Sequence, residues 1–98
     1  MTTPVLFRAT KSGQFKGDVT AVFPTLPGSN RPSSMTCYAH VGQHSACDKE
    51  WYRTTRPATP EEYRSLHKEL IGQGYDDLKI VSRITYAMDK ERYAELNR

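Results

Sequence analysis

The sequence of 98 residues is poor in aliphatic residues and has no apolar run longer than three residues. Leu, Ile, Val and Phe number 17 in total, and the hydrophobic fraction is 37%, below the roughly 45–50% of most globular domains. Runs this short exclude a membrane-spanning helix. The N-terminal residues lack the basic start and the long apolar stretch of a secretory signal, so we expect a cytoplasmic protein without membrane contact.

The sequence also has few cysteines and a small net charge. Cys37 and Cys47 are too few for a disulfide scaffold, and we expect both thiols to be reduced. The net charge is only +3 and ten residues are aromatic, which favours one folded domain over residues 1–98 rather than a disordered chain. Residues 1–58 carry seven basic and three acidic side chains, whereas residues 59–98 carry seven basic and eight acidic ones. A polyanionic partner would therefore be attracted to the first half.

Three segments of the first half alternate apolar and other side chains. This pattern predicts strands at Val5–Thr10, Asp18–Phe23 and Met35–Val41. Pro24 has no amide proton, so it is predicted to end the second strand or to place that strand at an edge. Residues 43–57 show neither the helical nor the strand period and are predicted to be irregular.

The clearest local signal is a helix start at residue 60. Thr59, Pro60 and Glu62 form a capping box with proline at the first helical position. We therefore predict an amphipathic helix over residues 60–73, with Gly74 as its left-handed cap and an apolar stripe made of Tyr63, Leu66, Leu70 and Ile71.

Two further elements complete the predicted fold. Leu78–Ile84 alternates like a strand, and a crossover through the helix would place it parallel to Met35–Val41. The C-terminal residues contain good helix formers but predict only a marginal helix, with a thin apolar face of Tyr86, Tyr93 and Leu96. The predicted class is α+β: a small, mostly antiparallel sheet of about four strands in the order β-β-β-α-β-α, with one amphipathic helix packed on one face.

The run from Cys37 to Asp48 contains residue types that bind metals. It fits the pattern C-x2-H-x3-H-x2-C, which would supply four zinc ligands from Cys37, His40, His44 and Cys47. A second interpretation takes His40, His44 and Asp48 as a two-histidine, one-carboxylate set. The zinc spacing is shorter than in structural sites, and Cys37 and His40 would point to opposite faces of a strand.

Interpretations without a metal stay open for the same run. Cys37 and a histidine could form a nucleophile pair, although the sequence indicates no orienting group or oxyanion donor. Alternatively, Cys37 is a small core residue, Cys47 is a loop thiol and the histidines fix the shape of the loop. Because no catalytic signature is complete, we expect a non-enzymatic protein without a cofactor.

Residues 49–56 combine aromatic and basic side chains. With the polar residues just before them, they give the candidates for partner binding: His40, Gln43, His44, Lys49, Trp51, Tyr52, Arg53 and Arg56. Rings beside guanidinium groups bind single-stranded nucleic acids, and the same residue types are enriched at protein–protein hot spots. Either ring could instead fill the small core.

Three blocks of the sequence resemble a known family. They are Gly17-Asp-Val-Thr-Ala-Val-Phe-Pro24, Cys37-Tyr-Ala-His-Val-Gly-Gln-His44 and Pro57-Ala-Thr-Pro-Glu-Glu-Tyr63. Over most of residues 5–84 the chain resembles a family of short uncharacterised proteins encoded in bacteriophages, prophages and other bacterial mobile elements. The resemblance implies no activity or cofactor. It implies a small accessory protein in the cytoplasm of a bacterial host cell, where such proteins often bind a host or phage macromolecule and some inhibit defence systems.

Three functions follow as hypotheses. The first is a non-enzymatic binding protein that presents residues 42–57 to a bacterial or phage protein complex, such as a defence system that it inhibits. The second is direct nucleic-acid binding by the basic first half. The third is a small metal-dependent or metal-stabilised module at the Cys/His run.

Overall fold

A computed structural model describes residues 2–11, 17–39 and 44–98, with only the backbone of residue 44. Within these ranges the fold is α+β, as predicted, and the elements follow the order β-β-β-β-α-β-α-β-α. The strands are β1 Thr3–Thr10, β2 Val19–Pro27, β3 Ser34–Tyr38, β4 His44–Asp48, β5 Thr55–Pro57 and β6 Leu78–Ile80. The helices are α1 Lys49–Arg53, α2 Pro60–Gly72 and α3 Tyr86–Leu96.

The strands form one curled sheet in the order β4-β3-β2-β1-β5, with antiparallel neighbours throughout this path. The outer edge of β1 is shared by two short strands. The Phe7 carbonyl accepts from the Ala58 amide just after β5, and the Val5 carbonyl accepts from the Val81 amide just after β6, both at 2.9 Å. Because residues two apart direct their carbonyls to the same edge, β5 and β6 cover that edge end to end.

The prediction that residues 43–57 are irregular is wrong for the described residues 44–57. This segment forms β4, α1 and β5, which is why the sheet has more strands than the four expected. These elements are three to five residues long, so none is long enough to show a period. Asp48 ends β4 and also caps α1, since its carboxylate accepts a hydrogen bond from the Trp51 amide at 3.1 Å.

Pro24 neither ends β2 nor places it at an edge, which corrects the prediction. The strand lies between β1 and β3 and continues to Pro27. The pairing with β3 shifts between Phe23 and Pro27, so Pro24 lies in an irregularity where no ladder amide is required of it.

The strand predicted at Leu78–Ile84 is shorter, and its neighbour is different. Only Leu78–Ile80 is a strand, and it runs parallel to β1 rather than to β3. β3 has no open edge for this strand, because it is paired with β2 on one side and with β4 on the other. Val81 and Ile84 instead pack against the sheet face that contains Leu6.

Helix α2 covers one face of the sheet almost as predicted. Leu66 and Leu70 are fully buried, and the ring of Tyr63 stacks on Phe7 with centroids 4.4 Å apart. Ile71 leaves the predicted stripe and is 53% exposed. The capping box of Thr59 is present, and Gly74 has a positive φ of 108°, the left-handed conformation expected of the cap. Among the described residues, no helix combines the length and apolar character needed to span a bilayer.

Helix α3 packs against β2, but not through the predicted apolar face. Tyr86 and Tyr93 are 79% and 41% exposed, whereas Arg92 is fully buried. The Arg92 guanidinium donates to the carbonyls of Pro24 at 2.8 Å and Pro32 at 3.2 Å. A buried cation bound to backbone carbonyls therefore attaches this helix to the sheet.

Candidate functional site

Three of the predicted binding residues meet at one surface cleft. Lys49, Tyr52 and Arg53 of α1 line it, together with Arg83 and Ile84 from the segment after β6. The cleft has a volume of about 320 Å³. It joins two parts of the chain that the sequence separates widely, and we call it the cationic cleft.

Hydrogen bonds at both ends of α1 fix the backbone that carries three side chains of the cleft. Asp48 caps the start of this five-residue helix, and the Thr54 hydroxyl donates to the Trp51 carbonyl at 2.6 Å at its end. The Thr55 hydroxyl donates to the Tyr52 carbonyl at 2.6 Å, which connects α1 to β5. A helix this short is not stable alone, so these contacts hold the backbone from which Lys49 and Arg53 project.

Tyr52 lines the cleft, and its ring packs on the guanidinium of Arg8. The Arg8 guanidinium carbon lies 4.3 Å from the centre of the Tyr52 ring. Its nitrogens donate to the hydroxyl and carbonyl of Thr55 at 2.8 and 2.7 Å. Arg8 is itself buried and fixed by these bonds. Its guanidinium therefore covers one face of the Tyr52 ring and holds the ring in place.

The rim of the cleft keeps a positive charge. Lys49 forms an ion pair with Asp89 of α3 at 2.6 Å. Arg53 and Arg83 are exposed, and within the described ranges neither has a carboxylate within 4 Å. Burial alone would raise the pKa of the Asp89 carboxyl, but hydrogen bonds from Lys49 and Arg92 hold it below its usual value. Asp89 is thus charged and already paired, which leaves Arg53 and Arg83 for an external anion.

Two other candidates for partner binding lie outside the cleft. Trp51 is half-buried and packs against Leu6, Val22 and Met35, so its indole fills part of the core. Arg56 forms a two-point ion pair with Glu62 at the start of α2, at 2.8 and 2.6 Å. The Arg56 guanidinium and the Thr59 amide lower the pKa of the Glu62 carboxyl to about 2. Arg56 therefore supports the start of a helix.

The two cysteines lie together on one face of the β3–β4 pair. Cys37 is opposite Ser45, and Cys47 is opposite Met35, one pleat further along. The Cys37 sulfur is 3.2 Å from the Ser45 hydroxyl oxygen. Interaction with the neighbouring Cys47 side chain, and secondly with Ser45, lowers the pKa of Cys37 to about 6 despite burial, whereas the same interaction and burial raise the pKa of Cys47. The prediction of Cys47 as a loop thiol is wrong, since it belongs to β4.

The proposed metal sets are only partly visible. His40, Gln43 and the side chain of His44 lie outside the described residues. The Asp48 carboxylate is engaged as the cap of α1. Within the described part of the chain, no three His, Cys, Asp or Glu side chains are grouped as a metal site. The four-ligand and three-ligand sets therefore stay hypotheses that depend on the two histidines.

Arg8 and Arg83 are site residues that the sequence reasoning missed. Arg8 lies between Phe7 and Ala9 in a strand of buried residues, and a charged residue in that position signals a buried partner. Arg83 carries no such signal, because only the fold brings it to α1.

In comparisons with known proteins, no family model, no curated protein and no solved structure matches the chain.

Proposed function

We propose that this protein is a non-enzymatic binding protein whose cationic cleft holds an acidic segment of a protein partner. One observation carries the proposal: Arg53 and Arg83 come from distant parts of the chain and are exposed in the same cleft, with no carboxylate within 4 Å among the described residues. Guanidinium groups bind carboxylates with two parallel hydrogen bonds, and exposed arginines are frequent anchors of protein interfaces.

The state of the aromatic rings favours a protein over single-stranded nucleic acid. Binding of bases needs ring faces on which they can stack. The indole of Trp51 packs against the core, and the guanidinium of Arg8 covers one face of Tyr52. The cleft therefore offers cations beside a single ring that has one face covered, which suits carboxylates better than a stack of bases.

The resemblance to proteins of mobile elements supports a bacterial or phage protein complex as the partner. Nucleic-acid channels of such complexes are expected to be basic, because they bind phosphates. A cationic cleft is complementary to an acidic surface instead. We therefore propose that inhibition of a defence complex, if that is the partner, proceeds by covering an acidic assembly surface.

A charge-reversal experiment tests the proposal. The double variant Arg53→Glu/Arg83→Glu is compared with Arg64→Glu/Lys68→Glu, which makes the same charge change on the exposed side of α2. Each is used to capture partners from a bacterial lysate after nuclease treatment and to bind a short oligo-glutamate peptide by fluorescence anisotropy. We expect the cleft variant to lose the captured protein and to bind the peptide at least about tenfold more weakly, since an interfacial charge pair is worth roughly 2 kcal/mol or more. The α2 variant should keep both.

Two results would contradict the proposal. The cleft variant could capture the same protein as the wild type, which would exclude Arg53 and Arg83 as contacts. Alternatively, capture could disappear with nuclease and fall steeply with salt, which would favour the second hypothesis of direct nucleic-acid binding.

A further inference from the structure

The cysteine pair is a second site, and the proposed binding function does not use it. Cys37 on β3 and Cys47 on β4 are diagonal neighbours on the same face, as the pairing of Cys37 with Ser45 and of Met35 with Cys47 shows. Both thiols line a groove of about 400 Å³ beside Ser45 and Trp51. Cys37 is 5% exposed and Cys47 is half-buried, so the groove gives access to the pair from the Cys47 side.

The geometry does not favour a disulfide. Diagonal neighbours in an antiparallel pair are typically about 7–8 Å apart. A disulfide needs Cα atoms within about 4.4–6.8 Å, so its formation would require β3 and β4 to shift. The Cβ atoms of diagonal neighbours are somewhat closer than their Cα atoms, so a single cation between the two sulfurs can bridge them without such a shift.

The groove therefore holds two sulfur donors side by side. Cys37 and Cys47 both line it, and the Ser45 hydroxyl oxygen lies 3.2 Å from the Cys37 sulfur. Thiolate ligands select soft cations such as Cu(I) over hard ones such as Mg²⁺. A soft cation between the two sulfurs is therefore the ligand that this pair fits.

We propose that Cys37 and Cys47 form a two-thiolate site for a soft monovalent cation, with Cu(I) as the cation that fits it. The cation forms one bond to each sulfur, and each thiol proton that it displaces leaves to solvent. No electron is transferred, and the product is an anionic bis-thiolate complex. Two ligands are enough for Cu(I), whereas structural zinc takes four, a number that the described residues do not provide. The Ser45 hydroxyl, at 3.2 Å from the Cys37 sulfur, orients one ligand from outside the bond.

A competition titration tests the site. The full-length protein is titrated with Cu(I) without oxygen, in the presence of excess reduced glutathione, and the bound copper is counted by native mass spectrometry. We expect one copper per chain. Removal of an outer partner typically lowers metal affinity by 10–100-fold, so loss of one of only two ligands in Cys37→Ser or Cys47→Ser should lower it by about 100-fold or more. Ser45→Ala is the matched control and should still bind one copper, about tenfold more weakly.

The proposal is overturned if either serine variant retains copper as the wild type does, or if the wild type loses all copper to glutathione. Far-UV circular dichroism shows whether each serine variant is folded. If one is not, the wild type alone decides the question. Cu(I) should then protect Cys47 from alkylation by iodoacetamide, and unchanged alkylation would contradict a bond to that sulfur.

Discussion

The two faces of the sheet are stabilised by different chemistry. The α2 face is apolar and aromatic, with Phe7, Phe23, Leu66 and Leu70 among its buried residues. The opposite face has a smaller buried cluster of Leu6, Val22 and Met35, and two arginines complete it. Hydrophobic burial is non-directional and tolerates rearrangement, whereas a buried cation requires each acceptor in place. The second face is therefore the more exacting of the two.

The candidate sites are both on this second face. Tyr52 of the cationic cleft and Cys47 of the thiol pair pack against the same small cluster. Arg8 supports the cleft from the sheet, and Arg92 holds α3, whose Asp89 pairs with Lys49. The polar interactions that complete this face also position the groups that can bind a ligand. The α2 face serves as the scaffold.

A methionine substitution on each face tests this difference in sensitivity. Arg92→Met should lower the free energy of unfolding by about 3 kcal/mol, because it removes the donors to Pro24 and Pro32 and one partner of Asp89. Leu70→Met keeps the buried volume on the α2 face and should cost less than about 1.5 kcal/mol. Urea denaturation of both variants measures the two values.

The order of these two effects is the critical result. If Leu70→Met were the more damaging, the α2 face would be the exacting one and the comparison would be reversed. If Arg92→Met were neutral, the methionine would replace the arginine by apolar packing, as happens in some buried ion pairs. An unchanged m-value in both variants would show that stability has changed and that the surface exposed on unfolding has not.

The contrast between the faces explains how much of the fold the sequence predicts. The capping box at Thr59 and the stripe with Leu66 and Leu70 are local patterns of apolar spacing, and they predict α2 and its buried side correctly. Arg92 in α3 reads as a surface residue, since its acceptors are carbonyls about sixty positions away that no periodicity reveals. Tyr86 is predicted to lie on the apolar face of this helix, but it is exposed, because α3 packs through Arg92 instead.

The candidate sites show the same contrast between local sequence patterns and contacts of distant residues. The combination of aromatic and basic side chains in residues 49–56 predicts Lys49, Tyr52 and Arg53 as binding residues, and the structure places these three in one cleft. Arg83 joins them only through the path of β6. The C-x2-H-x3-H-x2-C spacing indicates Cys37 and Cys47 as candidate ligands, but their position as neighbours depends on a strand at residues 44–48 that is too short to show alternation.

The helix starts give a smaller and more direct comparison. Thr59 accepts from the Glu62 amide at 3.3 Å, and Thr85 accepts from the Met88 amide at 3.2 Å. Each threonine to alanine change removes one such bond, so each should cost about 1 kcal/mol in urea denaturation. Equal costs would mean that the faces differ in packing and not in local helix formation. A much larger cost for Thr85→Ala would show that attachment of α3 depends on its first turn, which would sharpen the contrast.

The smallest expected effect is the pH dependence of the Arg56–Glu62 pair. The pKa of Glu62 falls from its ordinary value of 4.5 to about 2 in the folded protein, mainly because Arg56 donates to its carboxylate and secondly because the Thr59 amide does. A lowered pKa means that the folded state holds the proton less tightly than the unfolded state. The stabilisation is thus complete above pH 4.5 and is lost as the pH falls through 2.

Glu62→Gln keeps an oxygen for the cap but removes the charge, so it isolates this contribution. The difference in melting temperature between wild type and Glu62→Gln should be constant above pH 5 and shrink steadily below it, within the small range of an exposed ion pair. Glu61→Gln is the control, because Glu61 lies in the same turn and has no side-chain hydrogen bond or ion pair within the described ranges. If the two variants follow the same curve against pH, the effect belongs to the helix dipole and not to Arg56. If only Glu62→Gln changes with pH, one ion pair at the start of α2 adds a pH-dependent term to the face that hydrophobic burial otherwise stabilises.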